Sequence, residues 1–220
     1  MSSKLKQLKT KFESFKRLPI KYKLTLGFFS TITLVCLVVL VIPIWPRVGL
    51  ILHQPDPNRF DYPVSYSTES ALKAGVKITE NVKPIPRENR LVIPKIQVDS
   101  EILESQNLDI LDQKEGVWRE PFTATPNQAG NMVIAGHRFQ YLPPNTNTFY
   151  NLDQMQQGDN IMIIWNQKVL IYKVYSVFEV TADRVDIRDN SVYEHEITLY
   201  TCTPLYSSEN RLVVKAYLIE

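Results

Sequence analysis

Three side chains in the second half of the chain have the types and contexts from which covalent chemistry is built. Cys202 closes the strand-like stretch Thr198-Leu199-Tyr200-Thr201-Cys202, and Thr203-Pro204 follows it. Ile197 and Leu199 fall on one phase of a two-residue alternation, whereas Thr198, Tyr200 and Cys202 fall on the other, so the thiol sits opposite the core-seeking face. Pro204 cannot donate to a sheet ladder, so the strand is expected to stop just after Cys202 and leave its sulfur accessible at a strand end. A cysteine attacks as its thiolate, and a histidine is the usual group that supplies it.

There are 3 histidines to choose from. His195 shares the phase of Ile197 and, with the intervening chain extended at roughly 3.3 Å per residue, lies about 23 Å from Cys202, so it reads as structural or as a domain edge. His53 falls just beyond a long apolar run. That leaves His137, in Asn131-Met132-Val133-Ile134-Ala135-Gly136-His137-Arg138, an apolar strand followed by a glycine at the mouth of a loop. In the last strand, Leu212, Val214, Ala216 and Leu218 make one phase, with Arg211 and Lys215 on the other. Antiparallel pairing of this strand with the one before it would set Arg211 beside Cys202 on the same non-core face. Each residue also has a plainer reading. A lone cysteine is more often a small buried apolar residue, an isolated histidine at a strand end a surface residue, and an arginine at a strand start a solvated edge charge.

The elements that must position these groups begin with a membrane signal. Residues 1–23 hold eight Lys/Arg (Lys4, Lys6, Lys9, Lys11, Lys16, Arg17, Lys21, Lys23) against Glu13 alone, and an uncharged run follows from Leu24 to Pro46. About 20 apolar residues cross a bilayer as a helix, so 24–46 is expected to be a single transmembrane anchor. A cleaved signal peptide has an apolar region of about 7 to 15 residues and a small-residue cleavage site, and Ile42-Pro43-Ile44-Trp45-Pro46 offers none. The basic tail places the N-terminus in the cytoplasm and the rest outside, with Trp45 at the outer interface. The net charge of +2 thus divides into +7 on the tail and −5 beyond it, where 17 Lys/Arg face 22 Asp/Glu. Nothing there suits a phosphate backbone, which argues against nucleic-acid binding. Of the two cysteines, Cys36 lies within the apolar run, so Cys202 has no partner for a disulfide, and an unpaired external thiol calls for a chemical reason.

Residues 47–88 are rich in proline and read as an extended extracellular spacer, with a short helix near Thr68 to Ala74. From residue 89 to 220 the pattern is mainly β. Strands are expected at Arg90–Val98, Asn131–Ala135, Asn160–Trp165, Val169–Val180, Glu196–Cys202 and Arg211–Ile219, with short helices at Thr148–Gln154 and Ala182–Arg188. This is the pattern of an all-β barrel or sandwich, with enough chain for one core.

At this point the residues resemble a known family. Thr198-Leu199-Tyr200-Thr201-Cys202 is similar to the TLxTC signature of sortases, Ala135-Gly136-His137 resembles the segment carrying their histidine, and Arg211 falls where they place an arginine. The resemblance runs from Arg90 to Glu220, and an N-terminal anchor suits it. It implies a single closed eight-stranded β-barrel and a membrane-bound cysteine transpeptidase, with Cys202 as nucleophile, His137 as proton-transferring partner and Arg211 as donor to substrate or oxyanion. The implied partners are secreted proteins bearing an LPxTG-like signal and an acceptor amine, from a peptidoglycan precursor or a pilin lysine; water in its place would make a protease. Thr201 and Ala135 are expected to contact substrate, although a strand threonine is commonly no more than a good β-former. Segments Thr203–Asn210 and Phe139–Thr148 are expected to wall the groove, and the spacer Arg47–Glu88 is long enough to cover it. No cofactor or metal is expected: some sortases bind calcium, but Glu101, Glu104, Asp109 and Asp112 lack a calcium-loop spacing.

Two other classes compete. In papain-like or wall-cleaving cysteine hydrolases the nucleophile opens a helix and precedes its histidine, the reverse of the order here. A non-enzymatic anchored β-domain, binding a wall or surface partner with Cys202 inert, is separated by thiol reactivity.

Overall fold

The computed structural model describes residues 19–41, 45–52, 56, 59–63, 75, 77–78, 83–184, 186–188 and 193–219. His53 and the helix expected near Thr68–Ala74 fall outside the described residues. The chain divides into two units, Met1–Val48 and Gly49–Glu220.

Within the first unit, helix α1 spans Ile20–Val41 and buries none of its residues. Its 22 residues give a length of about 33 Å, so by length and composition it is long and apolar enough to cross a membrane. It begins four residues earlier than the apolar run, taking Lys21 and Lys23 into its first turn. Thr31 and Thr33 return their hydroxyls to the carbonyls of Gly27 and Phe29 at 2.9 Å, so neither leaves a polar group unsatisfied on an apolar helix. A second helix, α2, covers Trp45–Leu52.

The second unit opens with two short parallel strands, β1 (Arg59–Phe60) and β2 (Lys77–Ile78). Eight strands then close a barrel: β3 (Arg90–Ile93), β4 (Val98–Glu104), β5 (Val117–Arg119), β6 (Gly130–Ala135), β7 (Asn160–Trp165), β8 (Lys168–Thr181), β9 (His195–Thr203) and β10 (Asn210–Leu218). Their order around the wall is β10-β8-β7-β3-β4-β5-β6-β9, and β9 pairs with β10 to close it. The pairs β4–β5 and β6–β9 are parallel and the rest antiparallel. Alternate residues fill the interior: Leu91, Ile93, Met132, Ile134, Ile161, Ile163, Tyr172, Ile197, Leu199 and Val214 belong to one buried cluster. Burial of this kind, at about 25 cal/mol per Å² of apolar surface, is what drives closure.

Within the barrel, β4 and β5 lie where no strand is expected. The expected strand Arg90–Val98 is broken by a 3₁₀ turn at Pro94–Ile96 and by Gln97, held left-handed at φ 59, so that β4 folds back antiparallel onto β3. Proline starts that turn because it has no N–H to give the ladder. β4 alternates Val98, Ser100 and Ile102 inward with Asp99 and Glu101 outward, and its buried Ser100 breaks the apolar rhythm. The expected helices shrink to 3₁₀ turns at Leu152–Gln154 and Asp186–Arg188, and one short helix, α3, forms at Ile110–Gln113.

Part of the segment 47–88, expected as an extended spacer, packs on the barrel. Phe60 and Tyr62 pack on the outer face of β3, β7 and β8 against Val92, Met162, Ile164 and Ile171, with Ile85 and Ile219 beside them. These strands are apolar on both faces, which is why β7 is buried along its whole length. The strap is pinned by polar contacts: the Tyr62 hydroxyl donates to Asp99 (3.1 Å), Arg90 pairs with Asp99 (2.7 Å), and the Lys83 amide donates to the Asp61 carbonyl (2.6 Å). Proline content alone could not show an anchoring aromatic pair.

Candidate active site

The register of β9 and β10 pairs Arg211 directly with Cys202. On the other side of β9, Ala135 pairs with Tyr200 and ends β6, which carries the chain on to His137 beside Cys202. Cys202, His137 and Arg211 thus line one groove of about 250 Å³ on the outer face of the barrel. Ala135, Tyr200 and Thr201 are among its lining residues, together with Leu108, Leu111 and Ile187.

The strand phase explains which atoms face out. Ile197 and Leu199 are buried in the barrel, while Cys202 is half-exposed. Thr198, on the outer phase, is nevertheless buried, because the turn Asp186–Arg188 lies over it: Thr198 Oγ1 donates to Asn131 Oδ1 (2.9 Å), and Asn131 Nδ2 donates to the carbonyls of Ile187 and Arg188 (3.2 Å each). These bonds fix one wall of the groove to its floor.

The turn into His137 is held from several sides. A Cβ on Gly136 would lie 2.8 Å from the Phe149 ring, so glycine is required here by close approach. The Phe149 amide donates to the His137 carbonyl (2.8 Å), and Thr201 Oγ1 donates to the Gly136 carbonyl (2.7 Å). Thr201, expected to touch substrate, therefore has its hydroxyl engaged in holding the histidine turn. His137 Nε2 is buried without a hydrogen bond, with Asp112 Oδ1 of α3 at 3.4 Å, near enough for an ion pair with a protonated ring but not aligned as a hydrogen bond. Tyr141 meets the ring edge to face.

Arg138 was not singled out by the sequence, yet it is the most tethered group near the site. Its buried guanidinium donates from Nη1 to the Cys202 carbonyl (3.2 Å) and from Nε toward the Tyr150 carbonyl (3.5 Å), and it pairs with Asp153 (3.2 Å). One side chain thereby links the histidine loop to the cysteine strand. A charged residue next to His137 was the available signal, because a buried arginine needs paired acceptors. Arg211 is steadied at the rim, its Nη1 donating to the carbonyls of Ser208 (2.9 Å) and Asn210 (3.0 Å). Burial pushes the Tyr200 hydroxyl up to about 12, with the nearby Glu120 carboxylate adding to the shift, so it stays a neutral donor in the groove floor. His195 sits at the far end of β9, its Nδ1 3.1 Å from the Gln128 carbonyl. Among the described residues no group of three or more His, Cys, Asp or Glu is placed to hold a metal ion.

A thiol, an imidazole and a guanidinium thus share one groove on a closed barrel. A sortase-domain family model matches residues 91–219, and the chain belongs to the sortase family, whose members are cysteine transpeptidases. It is 31% identical over 119 residues to Sortase SrtE2 of Streptomyces coelicolor, covering 49% of this chain and 46% of that protein. It is 32% identical over 143 residues to Sortase SrtE1 of the same organism, covering 59% and 40%. The matches thus span less than half the length of these relatives. Among solved structures, a Clostridium perfringens Sortase D5 transpeptidase superposes with a TM-score of 0.52 at 30% identity, over 71% of this chain and 91% of that one. Sortase E1 from Streptomyces coelicolor, with a tripeptide in its active site, gives 0.52 at 28% identity over 60% and 88%.

Proposed function

We propose that this chain is a membrane-anchored cysteine transpeptidase that cleaves an LPxTG-like sorting signal and transfers the new carboxyl end to an amine. The observation that carries this reading is the single groove shared by Cys202, His137 and Arg211, with Arg211 and Cys202 as a register pair.

In this mechanism the Cys202 thiolate attacks the scissile carbonyl, and the negative charge moves to the carbonyl oxygen, where Arg211 and backbone N–H groups receive it. The C–N bond then breaks, His137 gives its proton to the departing amine, and a thioester remains on Cys202. An incoming amine forms the new C–N bond, the C–S bond breaks, and His137 takes up the proton the amine loses. Arg138 and Thr201 are positioning residues, holding the Cys202 carbonyl and the Gly136 turn so that thiol and imidazole meet. Ala135 and Tyr200 form the floor on which the peptide lies. The acceptor is a wall-precursor amine or a pilin lysine; water in its place releases an acid.

The basic tail and α1 support an N-terminus in the cytoplasm and a catalytic domain outside. A membrane-impermeant maleimide added to intact cells should then label Cys202. Catalysis is tested by incubating the full chain in detergent with an LPxTG peptide, with and without triglycine. The reading predicts an amide-linked product in the presence of triglycine. Formation of the free acid alone, unchanged by added amine, contradicts it.

A further inference from the structure

A second and larger cavity, about 850 Å³, adjoins the groove, and Glu120 and Arg188 line both. Glu120 directly follows β5 and is only 7% exposed. Its Oε1 pairs with the Arg188 guanidinium, whereas its Oε2 is buried with no hydrogen-bond partner. A buried acceptor left unmade is costly to the fold, more so when it is charged. The main chain beneath Arg188 is held in place, its carbonyl and that of Ile187 accepting from Asn131 Nδ2. At the rim of the same cavity Phe122 is 96% exposed at a left-handed φ of 65. That backbone is unusual for a residue with a side chain, and it turns an aromatic ring fully into water.

A carboxylate oxygen without a donor, beside an exposed ring and next to a peptide groove, is what a charged nitrogen on an aliphatic stem recognises. We propose that this cavity is a subsite for a cationic nitrogen, with Glu120 Oε2 as acceptor and Phe122 as the surface for its stem. The nitrogen comes either from a lysine of the sorting peptide or from the ammonium form of the acceptor amine. The proposal rests on the transpeptidase reading and names what that enzyme selects beyond the signal itself.

The test measures binding, so that it does not depend on turnover. The full chain carrying Cys202→Ala, in detergent, is titrated with LPxTG peptides having one lysine walked through the flanking positions, and with the same set carrying norleucine. In a second arm it is titrated with triglycine amide and with N-acetyl triglycine amide. In one arm the charged ligand should bind about tenfold tighter than its neutral partner. Adding Glu120→Gln should bring that ratio to about one while leaving the neutral ligand's affinity in place. A general structural role for Glu120 would weaken both ligands alike. Arg188→Gln, which removes the internal competitor, should raise the ratio, and it keeps the test open should Glu120→Gln fail to fold. An effect in the peptide arm assigns the nitrogen to the donor, and an effect in the amine arm assigns it to the acceptor. Ratios near one in both arms, or ratios that Glu120→Gln does not change, overturn the proposal. A wild-type chain that forms no thioester while its Cys202→Ala form still shows the Glu120-dependent ratio would sink the transpeptidase reading and leave the subsite standing.

Discussion

Two outer faces of the same barrel have been treated in opposite ways. On β3, β7 and β8 the apolar wall is covered by Phe60 and Tyr62 and sealed by the Tyr62, Lys83 and Arg90 contacts around Asp99. On β6 and β9 the wall of Ala135 and Tyr200 is flanked by Leu111 and Ile187 but left open as a groove, with orphaned polar atoms at His137 Nε2 and Glu120 Oε2. The first face contributes stability, and the second holds unsatisfied groups in place. Unmade hydrogen bonds at a folded surface are tolerated where a ligand makes them.

The comparison predicts which substitutions affect rate and which affect stability. His137→Ala should lower kcat/KM by about 10²- to 10⁴-fold with little change in the urea midpoint, because the ring makes few contacts that hold the fold. Phe60→Ala should do the opposite, costing about 3 to 5 kcal/mol by urea unfolding while activity per folded molecule stays level. Arg138→Leu crosses the divide. It should cost about 3 kcal/mol, since it breaks a buried ion pair, and also slow the acylation step measured well below the melting temperature, because the Cys202 carbonyl loses its tether. Tyr62→Phe should cost about 1 kcal/mol and leave the groove unaffected.

The smallest effect is expected from alkali. The folded-state value of Tyr200, about 12, lies above its ordinary value of about 10. A raised folded value means that the stabilisation is whole below pH 10 and is lost as pH climbs toward 12. Tyr200→Phe should flatten that part of the stability-against-pH curve.

Much of the barrel was legible because runs rich in Val, Ile and Tyr mark six of its strands, and β7 runs from Asn160 to Trp165 as expected. β5 escaped because three residues carry no period, and β4 because Ser100 stands where an apolar residue is looked for. The strap escaped because Phe60 and Tyr62 find their partners far along the chain, at Met162 and Ile171. In the site, the pairing of Arg211 with Cys202 followed from strand phase and a short connection. Arg138, Glu120 and Arg188 did not, because their partners come from separate loops that no local spacing brings together.

The proposed transpeptidase cycle passes through an acylated Cys202. Intact-mass measurement of the full chain in detergent, mixed with LPxTG-like peptides and quenched in acid, tests it most directly. The wild type should gain a mass equal to the acyl fragment, a gain absent from Cys202→Ala and removed by an added amine. A turnover of peptide that persists in Cys202→Ala, or a Cys202 that reacts with neither peptide nor a small alkylating agent, would contradict it.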